Sequence, residues 1–145
     1  MTALASLAAA FMLTSPAFHA GAMIPARYTC DGAGGPPPLR WTAPPRRTRS
    51  LALRVTDPDA PGGTFVHWIE WRAGSHWVQG TNSFGRVGYS GPCPPAGAPH
   101  RYVFRLYALN RTLALRSGAS ADAFAAALRG HVLATATLVG RYSRS

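Results

Sequence analysis

Leu51-Ala52-Leu53-Arg54-Val55-Thr56-Asp57-Pro58-Asp59-Ala60-Pro61-Gly62-Gly63 carries an apolar run into two carboxylates on a proline-stiffened turn. Thr64-Phe65-Val66-His67-Trp68-Ile69-Glu70-Trp71 then carries the chain away again. The alternation of Leu51, Leu53 and Val55 predicts a strand over Ser50–Thr56. The second run predicts another, with Phe65, His67, Ile69 and Trp71 on one face and Val66, Trp68 and Glu70 on the other. Apolar residues on both faces predict an interior strand. Between the two, each proline ring holds φ at about −65° and restricts the residue before it. The carboxylates of Asp57 and Asp59 are therefore pre-positioned rather than ordered at each binding event. Turn chemistry alone would make this an ordinary Asp-Pro turn, so its function has to be read from what surrounds it.

Downstream, Gly80 to Gly97 is dense in glycine and proline and predicts a long loop. Tyr102–Leu109 is the strongest strand pattern of the chain. Ser120 predicts a helix N-cap, Asp122 favours the first turn and Gly130 stops the helix. Phe124, Ala127 and Leu128 form its inner face. Ala134–Tyr142 alternates again and predicts a final strand. Upstream, Leu39–Thr42 predicts a short strand after the Gly34-Gly35-Pro36-Pro37-Pro38 turn. Residues 1–10 form an apolar tail, too short to span a bilayer, that reads either as the remnant of an export signal or as a misassigned start. Residues 11–145 then form one mostly β domain, large enough to bury a core.

The chain carries 15 arginines and no lysine against 5 acidic residues, a formal charge of +10. That balance favours anionic partners. The arginines are scattered and not interleaved with aromatics in a nucleic-acid module, so specific nucleic-acid binding is not expected. Cys30 and Cys93 lie in no metal-ligand spacing. They pair only if the fold joins them in an oxidising compartment; the expectation is two reduced, half-buried thiols, with a cytoplasmic location slightly favoured over export.

Groups capable of chemistry gather at predicted strand ends: Asp57, Asp59, His67, His100, Tyr102 and the loop Gly91-Pro92-Cys93-Pro94-Pro95. A calcium loop starting at Asp57 fails, because its fifth and twelfth positions are Pro61 and Trp68. Asp57, His67 and His100 offer donors that suit zinc or iron, but no local histidine pair supports a metal site. Ser90 and Cys93 stand near His100 in sequence without a nucleophile-elbow motif.

Taken together, Asp57-Pro-Asp-Ala-Pro61, Val66-His-Trp68, Gly91-Pro-Cys-Pro-Pro95 and Gly97-x-x-His100-Arg-Tyr102 resemble the phosphatidylethanolamine-binding protein (PEBP) family. The bacterial Raf-kinase-inhibitor-like branch is the nearest in pattern. Ile24-Pro-x-x-Tyr-Thr-Cys-Asp-Gly32, Pro37-Pro-Leu-x-Trp41 and Asn82-x-Phe-Gly85 extend the resemblance over roughly the whole domain. It implies a large central antiparallel sheet, a smaller packed sheet and a short C-terminal helix. It further implies a small pocket for phosphate-type anions, lined here by Asp57, His67, Pro94, His100 and Tyr102, with Asp59 and Arg101 in support. Between Trp71 and Gly80 the chain is shorter than the family's connection, which bears on the loop expected beside the pocket.

The resulting expectation is a non-catalytic binder of small phosphorylated or anionic ligands such as phospholipid headgroups, with modulation of a protein partner as an added role. No cofactor or metal is implied. Carboxylate neighbours are expected to raise the pKa values of both histidines and so favour their anion-binding forms. The competing expectation is a hydrolase using Asp57 and His100, or a metal, on a phosphate or ester. The oligomeric state is left open, a homodimer included.

Overall fold

The computed structural model describes residues 10–145; most of the apolar tail expected over 1–10 therefore lies outside the described residues. β1 (Leu13–Thr14) and β2 (Arg40–Trp41) pair as a two-stranded sheet. β3 (Ser50–Asp57), β4 (Phe65–Ala73), β5 (His76–Gln79), β6 (His100–Leu109) and β7 (Val132–Tyr142) form the large sheet, in the order β5-β4-β3-β6-β7. All its neighbours are antiparallel. The expected mostly β architecture, with two sheets and one helix, is the one observed.

β3 is the middle strand, and its apolar sequence follows from burial on both faces. Leu51, Leu53 and Val55 face one core, with Phe104 and Leu106 of β6. The segment before β2 covers that core with Leu13, Phe18 and Ile24. Ala52 faces a second core with Ile69, Trp71 and Leu109. α1 (Ala121–Leu128) covers this side. Its Ser120 cap accepts a hydrogen bond from the Ala123 amide at 3.1 Å, and Gly130 takes the left-handed conformation that ends the turn. Phe124 and Leu128 are buried, a stabilisation of about 1.5–3 kcal/mol each.

Arg54 is the polar exception in β3. Its Nη2 donates to the Tyr107 hydroxyl at 2.7 Å. Its guanidinium lies 5.5 Å from the Tyr107 ring and 5.9 Å from the Phe124 ring. Stacking on aromatic faces lets a half-buried cation remain in a central strand.

Two features depart from the sequence reading. Val55 pairs with Trp68 and Thr56 with Val66, so the ladder skips His67. This β-bulge breaks the alternation that put His67 with Ile69 and Trp71. Instead His67 sits against Tyr102, which belongs to the other core. The second departure is β5, which fills the short stretch after Trp71. Ala73 pairs with His76 across a tight hairpin, with Gly74 at φ 62°. Asp57 pairs with Phe65 at the other end of β4. The shortened connection is thus a hairpin remote from the Asp57 end of the sheet. Among the described residues no helix is long and apolar enough to cross a membrane.

Candidate functional site at the strand ends

Asp57 is the last residue of β3 and is buried. One oxygen, Oδ1, accepts from the Asp59 amide at 2.8 Å. This side-chain-to-backbone bond locks the turn two residues on. The other oxygen, Oδ2, lies 2.7 Å from Nδ1 of His100, the first residue of β6. Asp59 faces away and takes three hydrogen bonds from Arg101: from its amide at 2.8 Å, from Nε at 3.0 Å and from Nη2 at 2.8 Å. Those bonds hold the Asp59 carboxyl well below the usual range. The two carboxylates thus tie one turn to the start of β6, one beneath the cavity and one at its edge.

His67 reaches the same place through the bulge in β4. Its Nδ1 lies 2.7 Å from the Ser90 carbonyl oxygen, a pure acceptor, so Nδ1 carries the proton. Burial lowers the pKa of His67, outweighing that carbonyl and Asp57, which act to raise it. This corrects the expectation that the carboxylates would raise both histidines: desolvation wins at His67. Tyr102 stands edge-on to His67 with ring centroids 5.3 Å apart. Its hydroxyl is buried beside the Asp57 carboxylate and makes no well-formed hydrogen bond among the described residues. Burial and the Asp57 carboxylate push its pKa up, so the phenol remains a donor at any physiological pH.

The loop 88–95 supplies the opposite wall through Cys93, Pro94 and Pro95. It is fastened to the segment Tyr28–Cys30 in four ways. The Tyr89 hydroxyl donates to the Tyr28 carbonyl at 2.6 Å, and the Cys30 amide to the Pro92 carbonyl at 3.0 Å. Gly91 packs so closely that a Cβ there would stand 2.3 Å from the Tyr28 oxygen. Finally, Cys30 and Cys93 form a disulfide with Cα atoms 5.4 Å apart. The expected pair of reduced thiols is therefore overturned. The cysteines are 63 residues apart in sequence, and only the packing of these two segments brings them together. Asn82 braces the same loop, donating to the Gly88 carbonyl at 3.0 Å and the Ser90 hydroxyl at 2.9 Å.

These walls enclose a cavity of about 170 Å³. All five residues expected to line a pocket, Asp57, His67, Pro94, His100 and Tyr102, do line it. Asp59 and Arg101 do not, and the Arg101 guanidinium is turned to Asp59. Sequence reasoning missed the aromatic collar. Phe65 and Phe84 line the cavity with ring centroids 4.6 Å apart, and both stand within 6 Å of the His67 ring. Phe84 lay inside a quoted motif, Asn82-x-Phe-Gly85, but nothing in its spacing gave it a role.

The model of the family described as phosphatidylethanolamine-binding protein matches residues 14–143. The chain belongs to the PEBP family. It is 44% identical to the UPF0098 protein of Methanothermobacter thermautotrophicus, over 91% of this chain and 98% of that one. It is 40% identical to a UPF0098 protein of Chlamydia trachomatis, over 91% and 98%. Among solved structures, the PEBP homolog of Chlamydia trachomatis superposes with a TM-score of 0.87 at 40% identity, covering 94% of this chain and 99% of that one. Escherichia coli YbcL, described as a new member of the mammalian PEBP family, gives 0.86 at 30% identity, covering 94% and 100%.

Within this PEBP fold the cavity joins a carboxylate, two imidazoles and a phenol to an apolar lining. A nucleophile needs a base in hydrogen-bond reach. Among the described residues the histidines bond to a backbone carbonyl, a carboxylate and an amide oxygen. None bonds a serine hydroxyl, and Cys93 is held in the disulfide. No group of three or more His, Cys, Asp or Glu among the described residues is placed to hold a metal.

Proposed function

We propose that the strand-end cavity binds the phosphate head of a small phosphorylated ligand, of the phospholipid-headgroup kind, without catalysing a reaction. The carrying observation is the Tyr102 hydroxyl, a buried donor on the cavity wall that the neighbouring Asp57 carboxylate does not meet with good geometry as a hydrogen-bond partner. Buried polar groups normally have one, and a ligand acceptor would supply it. His100 stands on the same wall, and its bond to Asp57 Oδ2 leaves that carboxylate oxygen engaged rather than free to face an anion. No arginine lines the cavity. The site is therefore a weak, mostly apolar head-group pocket, with Phe65 and Phe84 excluding water at its mouth.

Titration with phosphoethanolamine, followed by the His67 and His100 ring resonances, tests this reading. Saturable shifts of both support it; unchanged resonances at millimolar ligand sink it. Tyr102→Phe removes the waiting donor and weakens binding about fivefold, the value of one hydrogen bond. The disulfide supports work in an oxidising compartment, against the slight sequence-level preference for the cytoplasm. Mass spectrometry of protein isolated under alkylating conditions decides that point, since alkylated Cys30 and Cys93 would contradict it.

A further inference from the structure

A second cavity, also of about 170 Å³, opens between the two sheets. Leu39 and Trp41 of the small-sheet segment form one side, Trp68 and Glu70 of β4 another, and Trp77 of β5 a third. Its volume falls below the roughly 300 Å³ at which pockets for whole drug-sized ligands begin, so it suits a head group. Three of the chain's four tryptophans line it. Trp41 and Trp77 meet edge to face at 6.2 Å, and Trp68 is buried. Indole faces attract cations through the ring quadrupole. The rim already draws one, for the Arg72 guanidinium lies 5.9 Å from the Trp77 ring without lining the cavity.

Glu70 is the independent second observation. The chain has 5 acidic residues among 15 arginines. Asp31 and Asp59 are paired with arginines, Asp57 is bonded to His100, and Asp122 is exposed in the first turn of α1. Glu70 alone is buried with no ion pair among the described residues. Its cross-strand neighbour Gln79 donates Nε2 to Glu70 Oε2 at 2.6 Å and accepts from the Trp68 indole at 2.7 Å. That relay fixes the carboxylate, while Oε1 takes no hydrogen bond from a described residue. Burial pushes the Glu70 pKa up to about 7, the mark of a carboxylate lacking a cation.

We propose that this cavity is an aromatic cage for the head of a trimethylammonium compound such as choline, with Glu70 as its counter-ion. A metal ion would need several oxygen ligands, and the cavity offers one carboxylate. A primary ammonium carries three N–H donors. Apart from Glu70 the lining is proline, leucine and indole, which would leave those donors unsatisfied. A quaternary ammonium has no donor to satisfy. The formal charge of +10 repels cations at long range, so selectivity comes from contact rather than steering. The groups around Glu70 are Trp68, Gln79 and the leucines of β3 and β6, none of which titrates, with the Arg72 guanidinium over the Trp77 ring at the rim. Binding therefore tightens as pH rises through 7 and Glu70 ionises.

The test is titration of the full chain with tetramethylammonium and choline chlorides, following the indole N–H resonances. Sodium chloride and 3,3-dimethylbutan-1-ol, the uncharged shape analogue of choline, are the controls. Saturable shifts are expected at Trp41, Trp68 and Trp77 and not at Trp71, with the uncharged analogue about tenfold weaker. Glu70→Gln keeps the fold by circular dichroism and weakens choline about tenfold; Trp77→Leu does the same from the other side of the cage. A trimethyllysine peptide run beside free choline tells a protein side chain from a small solute as the source, and tighter binding of either supports the cage. Equal binding of the uncharged analogue, unchanged affinity in Glu70→Gln, or no saturable shift with any trimethylammonium probe overturns it.

Discussion

The two cavities have the same volume and opposite construction. The strand-end pocket is built largely from loops, and ties hold it in shape: the Asp57–His100 and Asp59–Arg101 pairs, Asn82 and the Cys30–Cys93 bond. The tryptophan cavity is built largely from strand faces, and the ladder pairing Glu70 with Gln79 sets its geometry. Their carboxylates differ in the same way. Asp57 has both oxygens committed to protein partners, whereas Glu70 has a single amide. A loop-built site must stabilise its own walls before it can bind anything. A sheet-built site inherits its walls and can leave a charge unanswered.

Cutting the covalent tie breaks the comparison most sharply. Cys30→Ser with Cys93→Ser frees the wall Gly91–Pro95. Opening a loop closed over 63 residues should lower stability by about 4 kcal/mol in the chain-entropy account. Phosphoethanolamine affinity should fall with it, while the indole response to choline stays unchanged. Denaturant titration and the two ligand titrations, run on one variant, read all three. A choline response that fell as far as the phosphate response would mean that the cavities are not separately supported.

The next largest effect is expected from Asp57→Ala. It strands His100 without its carboxylate and removes the acceptor that locks the turn. Removing one partner of a buried pair costs about 3 kcal/mol, measurable by urea unfolding. Asp57→Asn keeps the acceptor for the Asp59 amide and should cost less. Equal losses would show that the pairing with His100, and not the turn, carries the energy.

What could be read in advance follows the same division. Strands β3, β6 and β7 and the capped helix were legible because periodicity and capping are local properties of the chain. Asp57, His67, Pro94, His100 and Tyr102 were legible through motif resemblance, and the fold brings them to one cavity. His67 was placed on the wrong face, because a bulge depends on how two strands pair and not on either sequence alone. Its protonation was also misjudged, since charges can be seen in a sequence and burial cannot. The disulfide was missed because nothing local distinguishes a paired cysteine from a free one. Trp41, Trp68 and Trp77 follow no motif spacing; only the approach of the small sheet to the large one assembles them.

A smaller effect of opposite sign is expected at the tryptophan cavity. Glu70 has a folded pKa of about 7 against an ordinary 4.5. The folded state therefore holds its proton more tightly than the unfolded state does. The contribution is intact below pH 4.5 and is lost as pH climbs through about 7. Glu70→Gln removes that loss, keeps an oxygen for Gln79, and should stabilise the protein at pH 8 by about 2 kcal/mol, the roughly 3 kcal/mol of the full shift reduced by solvent screening of a carboxylate that opens on the cavity. The variant would be more stable and yet bind choline less well, which is the signature of a charge kept for a ligand. A variant less stable at pH 8 than the parent would show instead that Glu70 holds the sheet together.

His67 should give the smallest effect and the opposite pH slope. It is a base whose pKa burial lowers from 6.5. Below pH 6.5 the unfolded chain takes up a proton that the folded chain resists, so stability falls as pH falls through that value and is regained above it. An anion in the strand-end pocket favours the charged imidazole, so its binding should oppose this loss. Sulfate is the probe of choice, because it does not titrate between pH 5 and 8 and leaves the protein as the changing partner. Sulfate should raise the melting temperature more at pH 5.5 than at pH 7.5 in the parent, and the difference should shrink in His67→Gln. Choline should show the reverse, acting at pH 7.5 through ionised Glu70 and fading at 5.5. Two ligands whose stabilising effects cross as pH changes would separate the sites in a single set of melting curves. Parallel curves would mean that both ligands report on one site or on none.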